Sequence, residues 1–262
     1  KKPFPPEKFE KDEWKEIKES TTDPESGYYV KDERTKQFAY SFHAATDEKG
    51  FVLGTIVTPG NVHDSYVLQP LVEKIIKKVK KPLAIAADAA YKTPAITNFL
   101  LENQMLPVLP YTRPKTKDGF FRKHEYVYDE YYNCYLCPQG QVLKYTTTTK
   151  EGYRQYKSNP TICANCPWLS QCTESKNHQK LIQRHIWETY MEEAEHLRHS
   201  YDIKQIYAKR KETIERVFAD AKEKHGMRWT NLRGLKKLSM QAMLTFAAMN
   251  LKKLATWTWQ AA

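Results

Sequence analysis

The five cysteines of this chain are clustered rather than dispersed, as Cys134-x2-Cys137, Cys163-x2-Cys166 and, five residues on, Cys172. Each C-x-x-C pair lets two thiolates face one ion, and two such pairs have the spacing of a tetrahedral zinc site. Spacing alone selects Cys134, Cys137, Cys163 and Cys166 and leaves Cys172 over. Clustering of this kind in a long chain favours metal binding over a disulfide framework. Carboxylates offer a second chemistry. Asp88 closes the short apolar run Leu83-Ala84-Ile85-Ala86-Ala87, the pattern of a buried central strand whose last residue emerges at its carboxyl end. Glu215 stands seven residues before Lys222, so on a helix the two point in nearly the same direction. Hard cations such as Mg²⁺ take carboxylate oxygens projected from rigid elements, and a strand end with a packed helix supplies them.

These side chains need elements to hold them. Tyr207 to Gly226 reads as one long helix, with Ile214, Phe218 and Ala221 forming an apolar stripe with Tyr207 and with Glu215 and Lys222 on its shoulder. Arg210 falls inside the apolar arc, where an unpaired guanidinium is costly, so the pattern requires a partner for it. Upstream, Thr21 to Gly27 is a turn begun by Asp23-Pro24, and Phe38–Thr46 and Phe51–Thr58 read as an antiparallel hairpin. A helix follows from about Gln69 to Lys80 with Pro70 in its first turn, then the strand closed by Asp88. Thr93-Pro94 caps and starts a helix to about Asn103, and Leu106–Leu109 makes a further strand. His63 and Asp64, at the carboxyl end of the hairpin, read as turn residues capping the next segment rather than as ligands. From Thr112 to Arg184 the sequence turns rich in Tyr, Thr, Lys and Cys. Thereafter His185–Arg198 reads as a helix, and Leu238, Met240, Met243, Leu244, Phe246, Ala247 and Leu251 as an amphipathic helix covering the sheet.

Forty-two Lys and Arg against thirty-one Asp and Glu give a formal charge of +11, spread over several segments, and a polyanionic partner is the natural inference. The apolar fraction is sufficient for a core, which excludes a disordered chain, and no run is long enough to cross a bilayer. A cytoplasmic protein without a membrane partner is expected. The first residue is Lys1, so the chain reads as a fragment or a processed form.

The spacing Tyr207-x2-Arg210-x4-Glu215-x6-Lys222, followed by A-D-A-K-E-K-H-G-M-R-W-T-N-L-R-G-L, resembles the signature of bacterial insertion-sequence transposases of the DDE class. The stretches S-T-T-D-P-E-S-G, T-P-G-N-V-H-D-S and A-D-A-A-Y-K-T-P carry the resemblance over most of the chain. It implies an α/β fold: a ribonuclease H-like mixed sheet flanked by helices, with a Cys-rich, zinc-ribbon-like insertion. The corresponding segments are a linker at 1–33, the first part of the core at 34–111, the insertion at 112–184 and a helical second part at 185–262. Asp88 and Glu215 then become catalytic carboxylates binding Mg²⁺ or Mn²⁺ for phosphodiester hydrolysis and strand transfer. Family likeness also shifts the zinc ligands to Cys137, Cys163, Cys166 and Cys172, with Cys134 competing. Tyr207, Arg210, Lys222, Arg228 and Arg233 become DNA contacts, continued by Lys236 and Lys237.

The first carboxylate of the class belongs to a strand before the hairpin, whereas Asp23 is followed by Pro and lies in a turn. That strand is therefore expected upstream of this chain, with Asp23 as a substitute, and residues 1–262 alone are expected to bind DNA without cutting it. Expected partners are double-stranded DNA at element ends and target, and further copies of the chain, in a nucleoid-associated bacterial protein. Two other readings stay open: a non-catalytic DNA-binding zinc module with a degenerate core, and a nuclease that cuts without joining.

Overall fold

The computed structural model describes residues 17–261; the reading of the first residues as a linker or exposed helix falls, for 1–16, outside them. Two compact units form, one from the chain up to Val79 together with Lys211 onwards, the other from Lys80–Arg210.

The first unit is built on a three-stranded antiparallel meander, β1 (Gly27–Val30), β2 (Lys36–Thr46) and β3 (Val52–Pro59). β2 and β3 are the expected hairpin. β1, within the stretch read as linker, takes the sheet position before it, pairing Gly27 with Ala39 and Val30 with Lys36, and none of its four residues is a carboxylate. Alternation along β2 sorts the two faces. Tyr40, Phe42 and Ala44 point, with Val57 across the ladder, into a core that includes Val217, Ala221, Leu238 and Phe246. These come from α7 (Ile214–Lys224) and α8 (Leu235–Ala261).

The opposite face receives α1 (Ser65–Lys78), which buries Val67, Leu68, Leu71, Val72 and Ile75. Gly54 permits its approach, since a Cβ there would stand 3.2 Å from Ile75 Cγ1 and 3.3 Å from Leu71 Cδ1. The helix begins four residues earlier than the Gln69 expected, which leaves Pro70 in its interior. Pro70 and Tyr66, one turn before it, are both exposed, so the carbonyl deprived of its partner lies on the solvent side.

In the second unit β4 (Ala84–Ala86) pairs in parallel with β5 (Leu106–Val108), and α2 (Pro94–Glu102) connects them. Thr93 caps α2 as expected, its Oγ1 accepting from Ile96 N at 3.3 Å. The expectation of a buried strand before Asp88 needs correction. Leu83 is 88% exposed and β4 is only half-buried, because apolar type in a run of five does not say whether both faces are covered. Leu100, Met105 and Val108 form the core here, near α5 (Glu188–Leu197) and α6 (Tyr201–Ala208).

The Cys-rich stretch folds as a five-stranded antiparallel sheet in the order β10-β9-β8-β7-β6, from β6 (Val127–Asp129), β7 (Cys134–Leu136), β8 (Val142–Thr148), β9 (Tyr153–Lys157) and β10 (Leu181–His185). Two short helices, α3 (Pro160–Ala164) and α4 (Leu169–Cys172), lie between β9 and β10. Its core is aromatic: Tyr126, Tyr135 and the fully buried Tyr156 pack with Leu143 and Ile182. The helix expected at His185–Arg198 starts only at Glu188, because His185 still pairs with Tyr153 as the last residue of β10.

Gly27 and the turn before it adjoin the end of β3, where a Cβ on Gly27 would lie 2.5 Å from Asn61 N and 2.6 Å from Gly60 N. Backbone must move to admit a methyl group there. Gly27→Ala is expected to lower stability by about 1–3 kcal/mol, the range for overpacking a tight contact. Urea unfolding of the two proteins checks this; an unchanged midpoint would mean the turn yields freely.

Candidate functional site

Asp23 lies in the turn before β1, where its carbonyl accepts from Ser26 N at 3.0 Å. Its carboxylate is held from two sides. Tyr40 Oη, on β2, donates within 2.9 Å of both oxygens, and Gly234 N, at the start of α8, donates to Oδ2 at 3.4 Å. Beside it Glu25 Oε2 accepts from Leu235 N at 2.6 Å, so carboxylates of the N-terminal turn cap a helix that begins some two hundred residues later. Burial and the hydrogen bond to Asp23 push the Tyr40 phenol up to about 12.

Asp88 follows β4 and caps a short 3₁₀ turn, Ala89–Tyr91, its Oδ1 accepting from Ala90 N at 3.0 Å. Thr93 thus caps α2 while Asp88 caps the turn before it. Glu215 occupies the first turn of α7, exposed, and Lys222, also exposed, its last turn. Asp88 belongs to the second unit, Asp23 and Glu215 to the first.

The single helix expected over Tyr207–Gly226 is not formed. α6 ends at Ala208, a 3₁₀ turn spans Lys209–Lys211, and α7 starts at Ile214. Thr213, before α7, has φ −108° and ψ −95°, which breaks the phase, so a helical wheel drawn through Tyr207, Arg210, Glu215 and Lys222 does not describe their directions. The apolar stripe of α7 itself is Val217, Ala221 and the half-buried Phe218; Val217 was not in the expected set. Arg210 has the partner its burial demands in part: Nη1 donates to Tyr207 Oη at 3.1 Å and the guanidinium lies 5.2 Å from that ring's centre. Its buried Nε has no hydrogen-bond partner among the described residues. Arg228 is ion-paired with Glu223, and Arg233, Lys236 and Lys237 are exposed.

His63 and Asp64 stand at the start of α1. His63 Nδ1 is 2.7 Å from Ser65 Oγ, whereas Asp64 makes no side-chain cap and lies 3.9 Å from the buried His43. His43, which sequence reasoning passed over, is bonded to Thr58 Oγ1 at 3.0 Å across the β2–β3 ladder. Burial lowers its pKa, against the opposing effect of Asp64. Its position on the α1 side of β2 was open to the alternation argument.

The cysteines separate into four and one. Cys137, Cys163, Cys166 and Cys172 line one pocket with Trp168 and Leu169. Cys172 Sγ is 3.3 Å from Tyr126 Oη, and burial pushes its thiol pKa up, with Cys163 and Cys137 close enough to add to the rise. Cys134 lies apart on β7, opposite Asp129 and Lys144 in the ladder, its pKa raised by burial and by Asp129. Among the described residues no group of three or more His, Cys, Asp or Glu stands close enough to hold a metal ion, the four cysteines that share the pocket included. No helix of the described residues is long and apolar enough to cross a membrane.

Residues 136–255 match the family model described as "Transposase DDE domain", which supports a DDE-type transposase. The matched segment holds Glu215, Lys222, Arg210, Tyr207 and four of the five cysteines, while Asp88 and Asp23 lie before it. Comparison with curated proteins and with solved structures gives no match.

The Tyr40–Asp23 contact generates a pH prediction. Because the folded-state phenol is raised to about 12 from 10.0, its contribution is complete below pH 10 and is lost as pH rises through 12. Tyr40→Phe is expected to lower stability at neutral pH by about 1.5–3 kcal/mol, as for a hydrogen bond to a charged group. Between pH 10 and 12 the gap from the wild type should close. Parallel urea melts across that range check it, and a gap independent of pH would refute the linkage.

Proposed function

We propose that this chain carries the catalytic region of a DNA transposase of the DDE class, acting on double-stranded DNA by phosphodiester hydrolysis and strand transfer at the ends of an insertion sequence. The observation that carries the reading is the family match over residues 136–255, which takes in the helix bearing Glu215. The signature Tyr207-x2-Arg210-x4-Glu215-x6-Lys222 and the +11 charge support it. Asp88 and Glu215 are the carboxylates we assign to the reaction, with Asp23 as the substitute for the first carboxylate and Mg²⁺ or Mn²⁺ as the cofactor. In such chemistry bound divalent ions activate the attacking oxygen and stabilise the leaving one. Lys222, Arg210, Tyr207, Arg228 and Arg233 are assigned to the phosphate backbone, where Arg supplies a planar fork and Lys a point charge.

DNA binding by residues 1–262 is expected to weaken steeply as salt rises, since phosphate neutralisation releases counterions, and Lys222→Ala should flatten the slope. In a form of the protein competent to cut, Asp88→Asn and Glu215→Gln are each expected to lower metal-dependent cleavage by roughly a hundredfold or more while leaving that binding intact. Retention of cleavage in either variant removes that residue from the catalytic set. Products in which the cut end is joined to target DNA distinguish a transposase from a nuclease.

For the Cys-rich sheet we assign one structural Zn²⁺ to Cys137, Cys163, Cys166 and Cys172, with Cys134 as the surplus thiol. What supports this is the pocket those four share and the separate position of Cys134. The sheet has a small, mainly aromatic core, so ligation would add folding energy where apolar burial is limited. Elemental analysis is expected to find one zinc per chain, retained in Cys134→Ser and lost in Cys172→Ser. The reverse pattern would restore the set chosen by spacing, and a metal-free wild type would exclude both.

A further inference from the structure

The apolar residues of α8 occupy two faces, not one. Leu238, Ala242 and Phe246 are buried against the meander, with Leu235 and Met249 half-buried beside them. Met240, Met243, Leu244, Leu251 and Leu254, by contrast, are 47–69% exposed, and Ala247 is exposed among them. At about 100° per residue these six fall in a stripe about 100° wide, centred about 150° round the helix from the buried face. The expectation that Met240, Met243, Leu244, Ala247 and Leu251 cover the sheet therefore fails for all five. A helix can turn only one side to a sheet, and Leu238 and Phe246 fill that side.

Leu244 aside, whose mirror position is Asn250, the stripe is symmetric about Ala247. Met240 and Leu254 lie seven residues to either side of it, Met243 and Leu251 four residues to either side. Two copies of α8 laid antiparallel with their Ala247 residues facing would thus set Met240 against Leu254 and Met243 against Leu251, and reciprocally, which is the self-complementarity that a two-fold interface demands. The small alanine at the axis lets the backbones approach closely. Charge selects the same arrangement. α8 contains no acidic residue and carries Lys236, Lys237, Lys252 and Lys253. Antiparallel pairing sets Lys236 opposite Thr258 and Lys237 opposite Trp257, whereas parallel pairing in register would set Lys236 against Lys236. In area, the six side chains expose on the order of 600 Å² per copy, close to the roughly 600–800 Å² per partner of the smaller stable interfaces. That is also at the upper end of what monomers leave uncovered, about 300–600 Å².

From this we infer that a second copy of the chain occupies the outer face of α8, forming a two-fold antiparallel helix pair centred on Ala247. The inference is independent of the proposed function and is tested without DNA. Sedimentation equilibrium of residues 1–262 should give twice the chain mass at micromolar concentration. Leu244→Glu and Ala247→Glu should each raise the dissociation constant at least tenfold, with unchanged circular dichroism and, at concentrations low enough for both proteins to be monomeric, unchanged melting, since both positions are exposed in the single copy. Oxidative crosslinking fixes the geometry. Ala247→Cys should crosslink to itself above the level given by the five native thiols. Met240→Cys should not, because two residues each seven positions from the axis stand about 21 Å apart, beyond the reach of a disulfide. A monomeric wild type at about 100 µM, with the stripe covered by residues 1–16 or by nothing, overturns the inference. So does a dimer indifferent to Ala247→Glu, or self-crosslinking by Met240→Cys equal to that of Ala247→Cys.

Discussion

The first unit depends on the seating of α8, a long helix whose own sequence does not say which of two apolar faces belongs inside. Polar clamps settle it. Glu25 accepts from Leu235 N and Asp23 from Gly234 N, satisfying donors at the helix start. Farther along, Asn250 exchanges two hydrogen bonds with the backbone of Val52, Oδ1 accepting at 2.9 Å and Nδ2 donating at 2.8 Å, as another strand would at that sheet edge. Between these points Leu238, Ala242 and Phe246 have one orientation available, toward Val57 and Phe42. Gly234 suits the turn before the helix twice over: its φ is +88°, and a Cβ would come within 2.9 Å of Glu25 Oε2.

The same clamp alters the meaning of Asp23. A carboxylate that accepts from Tyr40 and from Gly234 ties together the N-terminal turn, the central strand of the meander and α8, which is a structural task whatever chemistry it also performs. Asp88 likewise has local work, capping its own 3₁₀ turn with one oxygen. Glu215 differs, exposed in the first turn of α7, where the helix dipole favours its negative charge.

The Cys-rich sheet solves a different problem. Edge-to-face contacts of Tyr156 with Tyr128, Tyr135 and Tyr145 replace the aliphatic core that its sequence lacks. The guanidinium of Arg184 lies 4.2 Å from the centre of the Tyr128 ring, and two of its nitrogens are bonded to Glu192, so a nearly buried charge is both stacked and neutralised. Those bonds, reinforced by Tyr135, hold the guanidinium pKa above its ordinary value despite burial.

What the sequence determined by itself was whatever rests on neighbours in the chain. Alternation and a turn place β2 and β3, the Thr93-Pro94 pair starts α2, and clustered cysteines mark a segment of separate character. The spacing around Glu215 was legible too, because it is a matter of residue type and order, and it lies inside the segment that matches the family model. Tertiary structure decided the rest. Periodicity over Tyr207–Gly226 could not reveal the break at Lys209–Thr213, since one non-helical residue resets every later direction. Nor could apolar type choose between the two faces of α8, or spacing choose between Cys134 and Cys172 in the pocket, because each choice depends on groups far away in the chain. Local propensity acts over a few residues. Burial and long-range hydrogen bonds such as Glu25 to Leu235 exist only once the chain has folded.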